Sequence, residues 1–366
     1  MSAIESPALR PMSFGQLLDR SFRLYRQNFL TFVGIVAAMV IPVYGIYLVF
    51  SLLSIPNIAD AIERLDNLSP TDNPLTLFAT QMQATGSGNS YLLSILSFFL
   101  IQGIATMALV KAIEDSYLGR PADILGSYGK IAGILGPIFI VLIIEILFFI
   151  VLIVWFFIPC IGWFTGLGML IFASIVIFPM VPITVVVENQ RAFAAIRRAW
   201  DLARRRFWWV LGYVLLLSVL AYIIMVGPSA LLSIGTLYMQ ETVLSGFDAA
   251  TRIVIQTSIS QVISMFMQML YLPIQITAIT VMYFDLRVRT EGFDLAMLTA
   301  EAAASEGETA PATPQAPAMT HSPLITGTEL GYFFGATIGL YALCGILYGL
   351  LFAVAMALGL ALSSAF

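Results

Sequence analysis

Residues 131–157 read Ile131-Ala-Gly-Ile-Leu-Gly-Pro-Ile-Phe-Ile-Val-Leu-Ile-Ile-Glu145-Ile-Leu-Phe-Phe-Ile-Val-Leu-Ile-Val-Trp-Phe-Phe157, with Glu145 the one ionisable side chain in the run. About 20 consecutive apolar residues are enough to cross a bilayer as a helix. The run is continuous rather than alternating, so a strand of a closed barrel does not fit it. Six more runs of this kind occur, and spans are predicted at 29–54, 90–112, 131–157, 162–187, 208–235, 253–283 and 330–362. Composition agrees: 60% of residues are hydrophobic and 10% charged, against roughly 25% charged in soluble domains. The expected fold class is an all-α integral membrane protein.

The basic residues give the orientation. Stretches 1–28, 111–130, 188–207 and 284–299 hold 4, 3, 6 and 2 of the 17 Lys and Arg residues, leaving Arg64 and Arg252 elsewhere. By alternation these four stretches share one side of the membrane, which the positive-inside rule makes cytoplasmic. The N-terminus is thus expected inside, the C-terminus outside, and the first span an uncleaved signal anchor. The loop at 55–89 is the one sizeable external connection, and Pro159–Gly162 forces spans 3 and 4 into a tight hairpin.

A short amphipathic segment opens each pair of spans. In the first, Phe14, Leu18, Phe22, Tyr25 and Phe29 recur at helical spacing among Arg20, Arg23 and Arg26. Ser13 and Gln16 have capping-box spacing. A shift of 178 positions aligns Phe22, Leu24, Arg26 and Phe29 with Trp200, Leu202, Arg204 and Phe207 of the third segment, Asn189–Phe207. The second segment, Arg120–Tyr128, carries a weaker version. Six spans thus read as three parallel helix-pair repeats about an axis along the membrane normal. A seventh helix follows a tether. The expected domains are a six-span unit at 1–300, an Ala/Pro/Thr-rich linker at 301–329 too polar to order itself, and a C-terminal helix at 330–366.

Three stretches carry a family resemblance: Arg10-Pro-Met-Ser-Phe-Gly-Gln-Leu-Leu-Asp-Arg-Ser-Phe-Arg-Leu-Tyr-Arg-Gln-Asn-Phe29, Val187-Glu-Asn-Gln-Arg-Ala-Phe-Ala-Ala-Ile-Arg-Arg-Ala-Trp-Asp-Leu202 and Tyr283-Phe-Asp-Leu-Arg-Val-Arg-Thr-Glu-Gly-Phe-Asp-Leu295. Residues 10–300 resemble the glycerophosphoryl diester phosphodiesterase membrane-domain family of bacterial six-span proteins. The resemblance implies a membrane module of a bacterial plasma membrane and no catalytic domain. A phosphodiesterase barrel would need about 250 further residues. In the last stretch, Asp285 and Arg289 have ion-pair spacing, and Gly292 suits a left-handed helix stop.

Sites of chemistry are scarce. His321 is the only histidine and lies in the tether, which excludes paired-histidine metal or acid–base chemistry. Cys160 and Cys344 have no metal-ligand spacing. No enzyme activity, cofactor or metal site is expected. Glu145 in the third span, with Gln261, Ser264, Gln268 and Gln275 on one face of the sixth, is the candidate intramembrane polar site. Arg20, Arg23, Arg26, Arg197, Arg198, Arg204, Arg205 and Arg206 are candidate contacts to lipid headgroups. Gly331, Gly335, Gly339, Gly345 and Gly349 form a small-residue stripe suited to packing the seventh helix on the core or on a partner. Expected partners are membrane lipids and another membrane protein through that helix, with no nucleic acid. The leading functional expectation is a structural or protein/lipid-interaction module. The alternative is a transporter or lipid-handling permease built on Glu145 and the glutamine face.

Overall fold

The computed structural model describes residues 11–66, 87–159, 161–296, 299 and 326–363. Most of the 301–329 tether, with His321, and also Cys160 lie outside them. The described residues are helical, without strands. Seven helices are long and apolar enough to cross a membrane: span 1 Phe29–Leu53, span 2 Leu93–Tyr117, span 3 Ile124–Phe156, span 4 Ile161–Val187, span 5 Phe207–Met225, span 6 Ala249–Glu291 and span 7 Gly327–Ile346. The chain is an all-α multipass membrane protein. Its outer apolar side chains fit that environment: Leu30, Val151 and Val154 are 81%, 63% and 63% exposed.

The local signals act as the sequence reads them. Ser13 caps helix Phe14–Gln27 in a complete capping box with Gln16, and the helix stops at Asn28 before span 1 begins. The third amphipathic segment forms helix Ala192–Arg205. The second forms helix Ile124–Ile131, capped by the Asp123 side chain on Gly126 N. A 3-10 turn at Ala132–Ile134 then joins it to helix Leu135–Phe156, the remainder of span 3. Span 6 runs past its expected end at 283, because Gly292 (φ 64°) is the first left-handed residue available to stop it. At about 1.5 Å per residue it is roughly twice the length a bilayer core needs. The expected external loop contains a helix, Ile55–Asp66, which buries Ile58 against Ala250 and Val254 of span 6.

Spans 2, 4 and 6 touch one another in the centre, and spans 1, 3 and 5 fill the gaps around them. Span 1 lies on 6 and 2, span 3 on 2 and 4, and span 5 on 4 and 6. The three amphipathic helices follow the same rotation. Helix Ile124–Ile131 packs on the end of span 2, Ala192–Arg205 on the end of span 4, and Phe14–Gln27 on the end of span 6. Each also reaches the preceding outer span. Tyr128 donates to the Ile35 carbonyl of span 1 (2.7 Å), and Phe14 packs on Trp209 and Tyr213 of span 5. The three predicted repeats therefore close into a ring, in which the first helix of the chain completes the last unit.

The inner helices share a second feature. Hydrogen bonding widens to the π pattern over Phe99–Ala105 in span 2 and Phe172–Ile177 in span 4. Phe99 precedes Asp115, and Phe172 precedes Glu188, by the same sixteen positions. Span 6 carries Pro273 in the corresponding region. Widened turns free carbonyls that side chains then satisfy, and Thr106 donates to the Ile101 carbonyl at 3.0 Å.

Span 7 docks on span 4. The contact depends on Gly168, where a Cβ would lie 2.0 Å from the Phe333 carbonyl oxygen. Phe333 packs edge-on to Phe172, and Tyr332 stacks on Phe207 at 4.6 Å.

Candidate functional site

Each inner span ends in buried acid. In span 2, Glu114 and Asp115 are 2% and 1% exposed. Asp115 meets Lys130 of the second amphipathic helix at 2.7 Å, with Arg120 at 3.5 Å. Gly119 (φ 73°) supplies the left-handed turn that brings Arg120 back over the helix end. In span 4, Glu188 binds Arg198 of the third amphipathic helix through Nε at 2.8 Å and Nη2 at 3.1 Å. Asn189 (φ 50°) makes the matching turn there. In span 6, Asp285 accepts the Met12 backbone N–H at 2.8 Å, and Arg289 joins Asp285 to the Met12 carbonyl at 2.5 Å on each side. The Arg289 guanidinium also lies 5.0 Å from the centre of the Trp209 ring. Three latches thus tie the inner spans to the amphipathic segments, two through a cation of that segment and the third through the Met12 backbone.

The span 4 latch is the largest. Arg198 reaches Glu291 at 2.5 Å, and Arg287 lies 3.2 Å from Glu291 and 3.5 Å from Glu188. Tyr283 donates its hydroxyl to Glu188. Arg287 is 2% exposed and covers the Phe293 ring at 4.3 Å. Burial acts to lower the Arg198 pKa, but the hydrogen bonds it donates to Glu291 and Glu188 outweigh it and raise the pKa above the ordinary arginine value. The group is a fixed cation. Ion pairs this buried roughly break even against apolar packing. Removing one partner costs far more, because a charge is left stranded.

The structure sorts the eight candidate headgroup arginines. Arg23, Arg26, Arg205 and Arg206 are exposed. Arg198, 3% exposed, is a latch residue facing the core, which corrects its expected role. Arg204 is held by Asp201 at 2.9 Å and by Glu329 of span 7 at 3.6 Å. Arg20 turns inward, 4.4 Å above the Tyr117 ring. Arg197 is half-buried and already engaged. Amphipathic periodicity marked these arginines alike, since it cannot tell which of them faces an acid from another element.

The candidate intramembrane polar residues are not gathered into one site. Glu145 is half-buried on span 3, which packs on spans 2 and 4. Gln261, Ser264, Gln268 and Gln275 lie on span 6, whose main neighbours are spans 1, 2 and 5. Gln268 accepts from Tyr44 at 3.0 Å, so it joins spans 1 and 6 as a packing residue. Ser264 is exposed, Gln275 half-buried, and Gln261 Oε1 is buried without a hydrogen-bond partner among the described residues. In the glycine stripe, a Cβ on Gly335 would lie 3.3 Å from the Trp208 ring, whereas Gly331, Gly339, Gly345 and Gly349 face open space. The seam of span 7 runs through Phe333, Ala336 and Thr337 instead.

Asp285–Arg289 was legible as a helix pair. Glu114, Asp115, Glu188 and Glu291 were missed, although one signal was available: acids recur just where the Lys/Arg-rich stretches begin. Among the described residues no group of His, Cys, Asp and Glu could hold a metal ion. Comparisons with family models, curated proteins and solved structures gave no match.

Proposed function

We propose that this chain is a multipass structural and lipid-interaction module of a bacterial plasma membrane, with its basic face cytoplasmic and no chemistry of its own. The observation that carries this reading is the division among its basic groups. Arg198, Arg204, Arg287 and Arg289 are bound to acids of the bundle, while Arg23, Arg26, Arg205 and Arg206 project from its rim. Exposed cations at a membrane surface attract phosphate headgroups by roughly 1 kcal/mol each. The resemblance of residues 10–300 to bacterial six-span modules supports the location. A partner membrane protein would reach the outward side of span 7, where Gly339 and Gly345 are open.

The test replaces Arg205 and Arg206 together with Gln in the full chain. Anionic phospholipid retained through purification should fall several-fold, with thermal stability unchanged. Equal retention would remove the basis for the reading. A second reading, a lipid-handling permease, is favoured by the irregular turns at matching positions of the inner spans, since broken helices in repeats are characteristic of transporters. Its discriminator is Glu145→Gln, which should abolish transport in a well-folded protein if this reading holds.

A further inference from the structure

Asp19, Phe22, Arg23, Arg26 and Gln27 line an open depression of about 470 Å³ along helix Phe14–Gln27. Steps of three and four place side chains over one another on a helix. Asp19, Arg23 and Arg26 therefore make a row that reads negative, positive, positive, with Gln27 beside its positive end. Asp19, Arg23, Arg26 and Gln27 are exposed, and among the described residues none of the three charged groups has an ion-pair partner. Arg20 does not join the row, because it points inward over Tyr117. Two residues past Gln27 the chain enters span 1, where Phe29 and Leu30 are 39% and 81% exposed. The depression thus lies where a lipid headgroup gives way to its acyl chains.

Two guanidinium forks and an amide suit the oxygens of a phosphodiester. A headgroup that was only anionic would leave the Asp19 carboxylate opposing it. A headgroup with an ammonium one helical turn from the phosphate uses all three charges. Side chains at this spacing are about 5–6 Å apart at Cβ, which a two-carbon spacer between phosphate and ammonium can bridge. A primary ammonium also donates hydrogen bonds to a carboxylate, and a trimethylated one has none to give. We propose that this row is a headgroup site for phosphatidylethanolamine, with phosphate on Arg23, Arg26 and Gln27 and ammonium on Asp19. The proposal rests on the lipid-contact reading of the basic rim and names the lipid class for one part of it.

The full chain is placed in nanodiscs of equal phosphatidylethanolamine, phosphatidylcholine and phosphatidylglycerol with matched acyl chains. Lipid still bound after transfer to detergent is identified by native mass spectrometry. Phosphatidylethanolamine should be retained over the other two. Asp19→Asn should erase that preference while some phospholipid stays bound. Arg23→Gln with Arg26→Gln should reduce retention of phosphatidylethanolamine about tenfold. Equal retention of all three lipids by the wild type, or a preference for phosphatidylglycerol, overturns the site. If Arg205→Gln/Arg206→Gln also lowers retention in that case, the rim reading stands and only this site fails. Soluble phosphoethanolamine added at the lipid's concentration should not displace the bound lipid. Displacement would assign the site to the free compound and overturn the lipid as its occupant.

Discussion

A methyl group on Gly168 would lie 2.0 Å from the Phe333 carbonyl oxygen, whereas one on Gly339 would meet nothing within 4 Å. The two glycines look equivalent in a sequence, and their surroundings make them opposites. Gly168→Leu should separate spans 4 and 7 and cost about 1–3 kcal/mol, the usual penalty of overpacking. Cross-linking by a bis-maleimide with a spacer of about 10 Å, between cysteines placed at Trp163 and Tyr341, where the Tyr341 hydroxyl donates to the Trp163 carbonyl at 3.4 Å, should be lost in this variant and kept in Gly339→Leu. Persistent cross-linking with unchanged melting temperature would count against Gly168 as the seam. Arg198 makes the same point about charge. Its place in the Arg-rich pattern made it a surface residue by periodicity, yet acids from span 4 and span 6 enclose it.

Elements were easier to read than their contacts. Continuous apolar runs gave the seven spans, because length and hydropathy alone decide whether a helix can cross a bilayer. Helix Ile55–Asp66 lies in a segment read only as an external loop, because twelve mixed polar and apolar residues are too short to register as a span. The spacing of Ile55, Ile58 and Ile62 was the available signal. Ile58→Asp should detach this helix from Ala250 and Val254 and speed amide hydrogen exchange across Ile55–Asp66. Unaltered exchange would show that the contact does not hold the helix in place. That the candidate polar residues lie on separate faces was hidden for a related reason. Periodicity puts residues on a face, and only the order of helices in the bundle says what that face meets.

At the scale of the whole molecule, a linear threefold pattern has become a ring. The match between the first and third segments was legible; the closure was not, because it joins the Met12 backbone to Asp285 across nearly the whole six-span unit. No side chain in the sequence could announce it. Met12→Pro deletes the donating N–H and leaves a buried Asp285 with fewer partners, at a cost of about 1–3 kcal/mol. Met12→Leu keeps the N–H and should be close to neutral. Thermal unfolding of the two variants decides the matter, and equal melting temperatures would mean that the closure contributes little.

The ring also imposes a timetable on synthesis. Lys130 can meet Asp115, and Arg198 can meet Glu188, as soon as each stretch leaves the ribosome, because these partners are close in the chain. Helix Phe14–Gln27 is made before span 1, but its seat on span 6 is made last among the six spans. Until then its buried face, with Leu17, Leu24 and Tyr25, lacks its main seat. A helix made before all six spans is thus their keystone, waiting at the bilayer for the arch to arrive.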